Sequence, residues 1–110
     1  MSPLDYCVVL VTIDNFEDAK SLSHHLVGNG LAACCSISSR NFSIYRWKGV
    51  VEEQEEYVIN IKTKKSYFPV LEAQIKKLHK YEIPEIIMLT IKDGNKDYLN
   101  WIDESLVQLS

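Results

Sequence analysis

The sequence predicts an α+β fold in which strands and helices follow the order βαββαβ, with one further helix at the end. Three observations carry that prediction. The run Y-C-V-V-L-V-T at residues 6–12 is continuously β-branched or apolar, the mark of a strand buried on both faces. Residues 41–63, N-F-S-I-Y-R-W-K-G-V-V-E-E-Q-E-E-Y-V-I-N-I-K-T, read as a hairpin whose arms are about twice the usual strand length. Two apolar stripes at helical spacing lie on either side of that ribbon: Phe16, Ala19, Leu22, Leu26 and Val27, then Phe68, Leu71, Ile75 and Leu78. Two βαβ-type halves around a hairpin give the ferredoxin-like arrangement, four antiparallel strands with the two main helices on one face.

Each element has its own local signal. After the first strand, Asp14 and Glu17 form a D-x-x-E start, the first to cap free amides and the second to favour the helix dipole. Gly28 and Gly30 supply the stop. Residues 31–37 are the first half of the second strand, and S-S-R at 38–40 predicts a bulge before the ribbon. The ribbon turns at Lys48-Gly49, where Gly49 can take the positive φ of a tight turn. Phe42 and Ile44 share one face of the incoming arm, and Ser43, Tyr45 and Trp47 the other. On the outgoing arm Tyr57, Ile59 and Ile61 alternate with Glu56, Val58, Asn60 and Lys62, and the acidic run over 52–56 reads as a solvated edge that blocks aggregation. Pro69 suits the first turn of the second helix, and Glu72 with Lys76 makes a favourable i,i+4 pair on its outer face. Pro84 forbids helix just before it, so residues 86–91 form the fourth strand. Asp93-Gly94-Asn95 then makes a turn and cap for a short helix marked by Leu99, Ile102 and Leu106.

Composition bounds the function. The chain of 110 residues is expected to form a single domain over 1–110, with 46% hydrophobic and 25% charged residues, ordinary for a soluble globular protein. Its net charge of -3 offers nothing to attract nucleic acid or an anionic membrane, and carboxylates on the third strand would repel phosphate. No apolar run approaches the ~20 residues of a membrane span, and the amino terminus lacks the basic-then-apolar pattern of a signal peptide. A cytoplasmic location is therefore expected. The three cysteines fit no C-x-x-C pattern and read as reduced thiols. There is no G-x-S-x-G, no H-E-x-x-H and no phosphate-cradling glycine loop, so no catalytic residue is expected.

The ribbon carries more apolar and aromatic surface than one small domain can cover, and a second copy of the chain is the expected partner. A cleft between subunits would gather Tyr45, Trp47, Lys62, Tyr81 and Glu85, a set suited to a small ligand. His79, one position past the second helix stripe, is a further candidate for that cleft, and Cys34 and Cys35, which point to opposite faces of a strand, are candidate soft-metal ligands. His24 and His25 are adjacent on a helix, diverge by about 100° and do not chelate.

Four motifs in order, G-L-A-A-C (30–34), I-Y-R-W-K-G (44–49), I-K-T (61–63) and H-K-Y-E-I-P-E (79–85), resemble the CutA family of divalent-cation tolerance proteins. The resemblance runs from about residue 7 to residue 106. It implies a homotrimer of ferredoxin-like subunits whose hairpins clasp neighbouring sheets, a role in metal tolerance with copper or another divalent cation as the bound ion, and no established reaction. It also implies an anchoring role with a separate protein partner, as in animal members. Ligands suggested for bacterial members are a first-strand cysteine and a His-His pair. Those positions here are Val11 and Leu78-His79, followed by Lys80 where a proline is usual. A single imidazole makes a weak copper or zinc site. The same architecture also serves trimeric nitrogen-regulatory sensors of small molecules, which is the alternative reading.

Overall fold

In the structure, a computed structural model describing residues 5–109, the chain builds β1 (Tyr6–Ile13), α1 (Phe16–Gly28), β2 (Cys34–Ile37), β3 (Asn41–Trp47), β4 (Val50–Lys64), α2 (Phe68–Leu78), β5 (Ile86–Thr90) and α3 (Lys96–Glu104). The amino-terminal stretch read above for a leader, and the last residue of the expected 1–110 domain, lie outside the described residues. The strands pair antiparallel in the order β2-β4-β1-β5, with β3 continuing along β4. This is the ferredoxin-like α+β sheet that the sequence predicts, with a helix appended.

The expected second strand divides into β2 and β3. Ile37 pairs with Ile59 and Asn41 with Glu56, so Ser38, Ser39 and Arg40 stand opposite only Val58 and Tyr57. One residue is therefore extra, the definition of a bulge. Ser38 holds it closed: its N–H donates to the Val58 carbonyl at 2.9 Å, and its Oγ accepts from the Val58 N–H at 2.9 Å. Beyond the bulge the β3–β4 hairpin leaves the body of the sheet, which explains principal extents of 45 × 25 × 23 Å. Its turn has positive φ at both Lys48 (51°) and Gly49 (83°), the type I′ geometry that matches strand twist.

The core lies between the sheet and the pair α1 and α2. Cys7, Val9, Val11 and Ile13 of β1 and Ile59 and Ile61 of β4 point into it and meet Ala19, Leu22, Leu26, Leu71 and Ile75. The period of two on β1 and β4 and the stripe on each helix give this packing directly. The other face of the sheet is not bare. There α3 lays Leu99 and Ile102 against Tyr6 and Ala33, and Lys64 of β4 donates to Asp103 at 2.8 Å.

Three local expectations are corrected. The N-cap of α1 is Asn15, whose side chain accepts from the Asp18 N–H at 2.9 Å; Asp14 is left free for other contacts. Leu78, the last member of the second stripe, is 48% exposed, because α2 ends there and His79 is already extended. Glu56, the last carboxylate of the acidic run, is only 6% exposed rather than solvated. The end of α1 follows the prediction. Gly30 (φ 69°) is the left-handed residue of a Schellman motif, with its N–H on the Val27 carbonyl and that of Leu31 on the Leu26 carbonyl, both 3.0 Å.

Candidate functional site

Where the hairpin leaves the sheet, its inner face meets the irregular segment 79–85 that joins α2 to β5. One direct bond and one relay through Asp14 tie the two. The Tyr81 hydroxyl donates to Glu56 Oε2 at 2.8 Å. Gln54 accepts from the Tyr45 hydroxyl at 2.9 Å and donates to Asp14 Oδ2 at 3.1 Å. Asp14 Oδ1 in turn pairs with Lys80 Nζ at 2.7 Å, with Asp18 a second, looser partner at 3.5 Å. Between the hairpin and the segment lies a cavity of about 540 Å³. Tyr45, Trp47, Tyr81 and Glu85 line it together with Thr12, Ser43, Ile44, Gln54, Glu56, Glu82 and Ile83.

Four of the five residues expected in a ligand cleft are thus brought together within one chain. Lys62 is not. It sits on β4 between Val8 and Cys34, on the same sheet face as Glu56 but six residues further along the strand. Six residues of strand span about 20 Å, which keeps its ammonium out of this cavity. Glu56 is the site residue that the sequence reading set aside. A carboxylate run at a hairpin edge carries no mark of which member will meet the 79–85 segment.

Burial raises the pKa of Tyr81, and its hydrogen bond to Glu56 raises it further, so the phenol keeps its proton and acts as donor. Glu56 accepts that one bond through Oε2, and no described residue donates to its other oxygen. Nor does any cation form an ion pair with it among the described residues.

The expected metal ligands are placed otherwise. His79 is buried, with Nε2 2.7 Å from the Thr12 carbonyl and Nδ1 accepting from the Tyr81 N–H at 3.1 Å. A backbone carbonyl only accepts and a backbone N–H only donates, so the ring is the neutral Nε2–H tautomer with both nitrogens engaged. Its ring packs against Tyr81 at 4.6 Å between centroids. His79 therefore locks the 79–85 segment onto β1 and offers no lone pair to an ion. Burial pushes the Cys35 thiol up to about 11, which disfavours the thiolate that a soft metal needs. Cys34 points to the other face of the sheet, 3.7 Å from the Tyr98 hydroxyl of α3. Val11 is fully buried in the core. Among the described residues no three His, Cys, Asp or Glu side chains converge on a point where they could hold one ion, and no helix is long and apolar enough to cross a membrane.

Comparison with known proteins gives a consistent answer. The family described as CutA1 divalent ion tolerance protein matches residues 7–105. The divalent-cation tolerance protein CutA of Thermus thermophilus is 43% identical over 98 residues, which cover 89% of this chain and 95% of that protein. Protein CutA of Mus musculus is 36% identical over 102 residues, 93% of this chain and 58% of the mouse protein. Among solved structures, the divalent cation tolerance protein from Thermus thermophilus superposes with a TM-score of 0.90 at 41% identity, covering 93% of this chain and 99% of that one. CutA1 from Oryza sativa superposes at 0.93 with 37% identity, covering 98% and 100%. This chain belongs to the CutA1 divalent ion tolerance family.

Proposed function

We propose that this protein serves divalent-cation tolerance in the cytoplasm without catalysing a reaction, as a homotrimer that binds copper or a similar divalent cation weakly in clefts between its subunits. The observation that carries the reading is the unpartnered apolar surface at the two ends of the sheet. Phe42, Ile44, Val50 and Val51 are each more than half exposed on the hairpin, and Ile87 and Leu89 are nearly so on β5. The outer edge of β5 has no strand beside it among the described residues. An apolar edge strand and an apolar ribbon that overhangs its own sheet each lack what the other supplies, main-chain pairing and cover.

The nitrogen and sulfur groups of one chain do not fit a tightly held copper ion, since His79 is engaged at both nitrogens and the Cys35 thiol is held protonated. The carboxylates of Glu56, Glu82 and Glu85 at the cavity offer oxygen donors, and a neighbouring copy would complete the ligand count. The test has two parts. Light scattering is expected to return three times the chain mass, and a monomer at micromolar concentration overturns the assembly. Calorimetry with copper and zinc on reduced protein is expected to give a site somewhat tighter than about 10 µM, a binding free energy of about -7 kcal/mol or slightly stronger. Absence of any site tighter than about 10 µM for either ion overturns direct binding.

The alternative, a small-molecule sensor or a scaffold for a separate protein partner, is favoured by one observation. The cavity volume of about 540 Å³ falls in the range of small-molecule sites, about 300–1,000 Å³. A metabolite screen by thermal shift separates the two, because a specific ligand raises the melting temperature in proportion to RT ln(1 + [L]/Kd).

A further inference from the structure

Glu56 presents an unusual balance. Its side chain is more than nine-tenths buried, one oxygen receives a single hydrogen bond from Tyr81, and no described cation pairs with it. Its second oxygen has no donor among the described residues and is not sealed from solvent, so an incoming donor can reach it. That oxygen belongs to a residue lining the cavity. Glu82 and Glu85 also line the cavity, whereas no lysine, arginine or histidine does. The field there repels phosphates and carboxylates and attracts a cation.

The other walls narrow the class of cation. Tyr45, Trp47 and Tyr81 bring aromatic rings to the cavity, and ring faces attract ammonium and guanidinium groups. Trp47 already does so within the chain, with Lys48 Nζ lying 5.6 Å from its ring centroid. The carboxylates do not converge as a bare ion requires. Acid groups spaced around an aromatic-walled cavity fit an extended organic cation better than a point charge. We propose that this cavity binds an organic ammonium ion, seated on Trp47 and Tyr45 with Glu56 as its buried counter-charge. A primary ammonium fits best, because its N–H groups can satisfy the free Glu56 oxygen. The inference does not depend on metal binding.

The test is calorimetric titration of the full chain, reduced and in its native assembly, with spermidine, tetramethylammonium and glutarate as probes. Spermidine is expected to bind, tetramethylammonium more weakly because it donates no hydrogen bond, and glutarate not at all. Glu56→Gln keeps an acceptor for Tyr81 but removes the charge, and is expected to weaken spermidine about tenfold or more. Trp47→Leu, on a strand outside the core, is expected to weaken it severalfold and guards against a folding defect in the first variant. No spermidine heat at about 5 mM, equal affinity in wild type and both variants, or glutarate binding as tightly as spermidine overturns the proposal. Copper binding with spermidine silent removes this inference and keeps the metal reading. Spermidine binding with both metals silent does the reverse.

Discussion

Two glycines, two positions apart at the end of α1, should respond oppositely to the same added methyl group. Gly28 is the last helical residue, and a Cβ there would meet nothing within 4 Å. Alanine at that position removes unfolded-chain entropy at no steric cost, so Gly28→Ala should stabilise by about 0.5–1 kcal/mol. Gly30 has φ +69°, and a Cβ there would lie 2.7 Å from both Cβ and N of Val107. Left-handed backbone costs an L-residue about 1–2 kcal/mol. Overpacking adds about 1–3 kcal/mol. Since the backbone N of Val107 is as close as its side chain, trimming Val107 cannot restore Gly30→Ala. The loss of about 2–5 kcal/mol corresponds to a melting temperature lower by about 8–20 °C, at about 4 °C per kcal/mol for a domain of this size. Circular dichroism melts of wild type and both variants, at one protein concentration because self-association shifts apparent stability, provide the measurement. Hydrogen exchange at Val107, whose N–H donates to the Gly30 carbonyl at 2.8 Å, would report whether the C-terminal segment lifts away to relieve the clash. If Gly30→Ala melts with Gly28→Ala, the backbone and packing argument at this cap is refuted.

The stripe of α2 offers a second contrast, since Leu71→Ala should cost about 2–5 kcal/mol in a denaturant melt while Leu78→Ala, at a 48% exposed position, should cost well under half of that. His79→Ala leaves the Thr12 carbonyl and the Tyr81 N–H without partners, each worth about 1–3 kcal/mol, and should lower stability by about 2–6 kcal/mol whether or not metal is present. A loss seen only with copper added would mark His79 as a ligand instead. In alkali, burial holds the Cys7 and Cys35 thiols up at about 11, against 9.0 for a free thiol. The folded state then keeps protons that the unfolded chain releases, so this contribution is intact below pH 9 and fades as pH rises towards about 11. For Cys7, at full burial, it amounts to at most about 2–3 kcal/mol. Denaturant melts at about pH 8 and about pH 10.5 should show the decline, and Cys7→Ala should blunt it. A pH-independent midpoint across that interval would contradict the burial argument.

Elements whose identity rests on periodicity were readable from the residues alone. The alternation of Ile59 and Ile61 with Asn60 and Lys62, and the stripe of α1, place the core because burial on a strand or helix face repeats at a fixed period. The bulge at 38–40 was also legible, since S-S-R interrupts an apolar strand pattern. What escaped depends on three-dimensional closure. Asn15 and Asp14 are both competent caps, and the choice falls to Asn15 because Asp14 is drawn to Lys80 and Gln54 from distant parts of the chain. The grouping of Tyr45, Trp47, Tyr81 and Glu85 followed from chemistry in the motifs, whereas Lys62 failed to join them for a reason of strand rise. Glu56 looked like its acidic neighbours because charge pattern says nothing about which side of a twisted ribbon is inward.

The register of the hairpin is what makes a site out of these parts. β4 runs unbroken from the hairpin into the sheet, so Tyr45, paired with Glu52, and Ser43, paired with Gln54, stand on the sheet face of Glu56 and Thr12. The extra residue at 38–40 is absorbed where β2 joins that pairing, with Cys35 and Ile37 packed against the core on the helix side. Pairing alone would leave the aromatics over open sheet. The segment 79–85 supplies the opposite wall, and it stays in place because His79 is bonded at both nitrogens and Lys80 is paired with Asp14. Hairpin pairing and helix termination are separate events in sequence, and their coincidence at the hairpin root encloses a carboxylate. Deleting Ser39 leaves two residues opposite Val58 and Tyr57, so the strand becomes regular while Asn41 still meets Glu56 and Tyr45 still meets Glu52. Tyr45 and Trp47 should then stay on the Glu56 face, and ligand binding there should persist. The sheet core should remain folded, because the pairing of β1 with β4 and β5 does not involve the bulge. A deletion variant that keeps its fold but loses its ligand affinity would show that the cavity depends on the bulge itself and not on the pairing of β3 with β4.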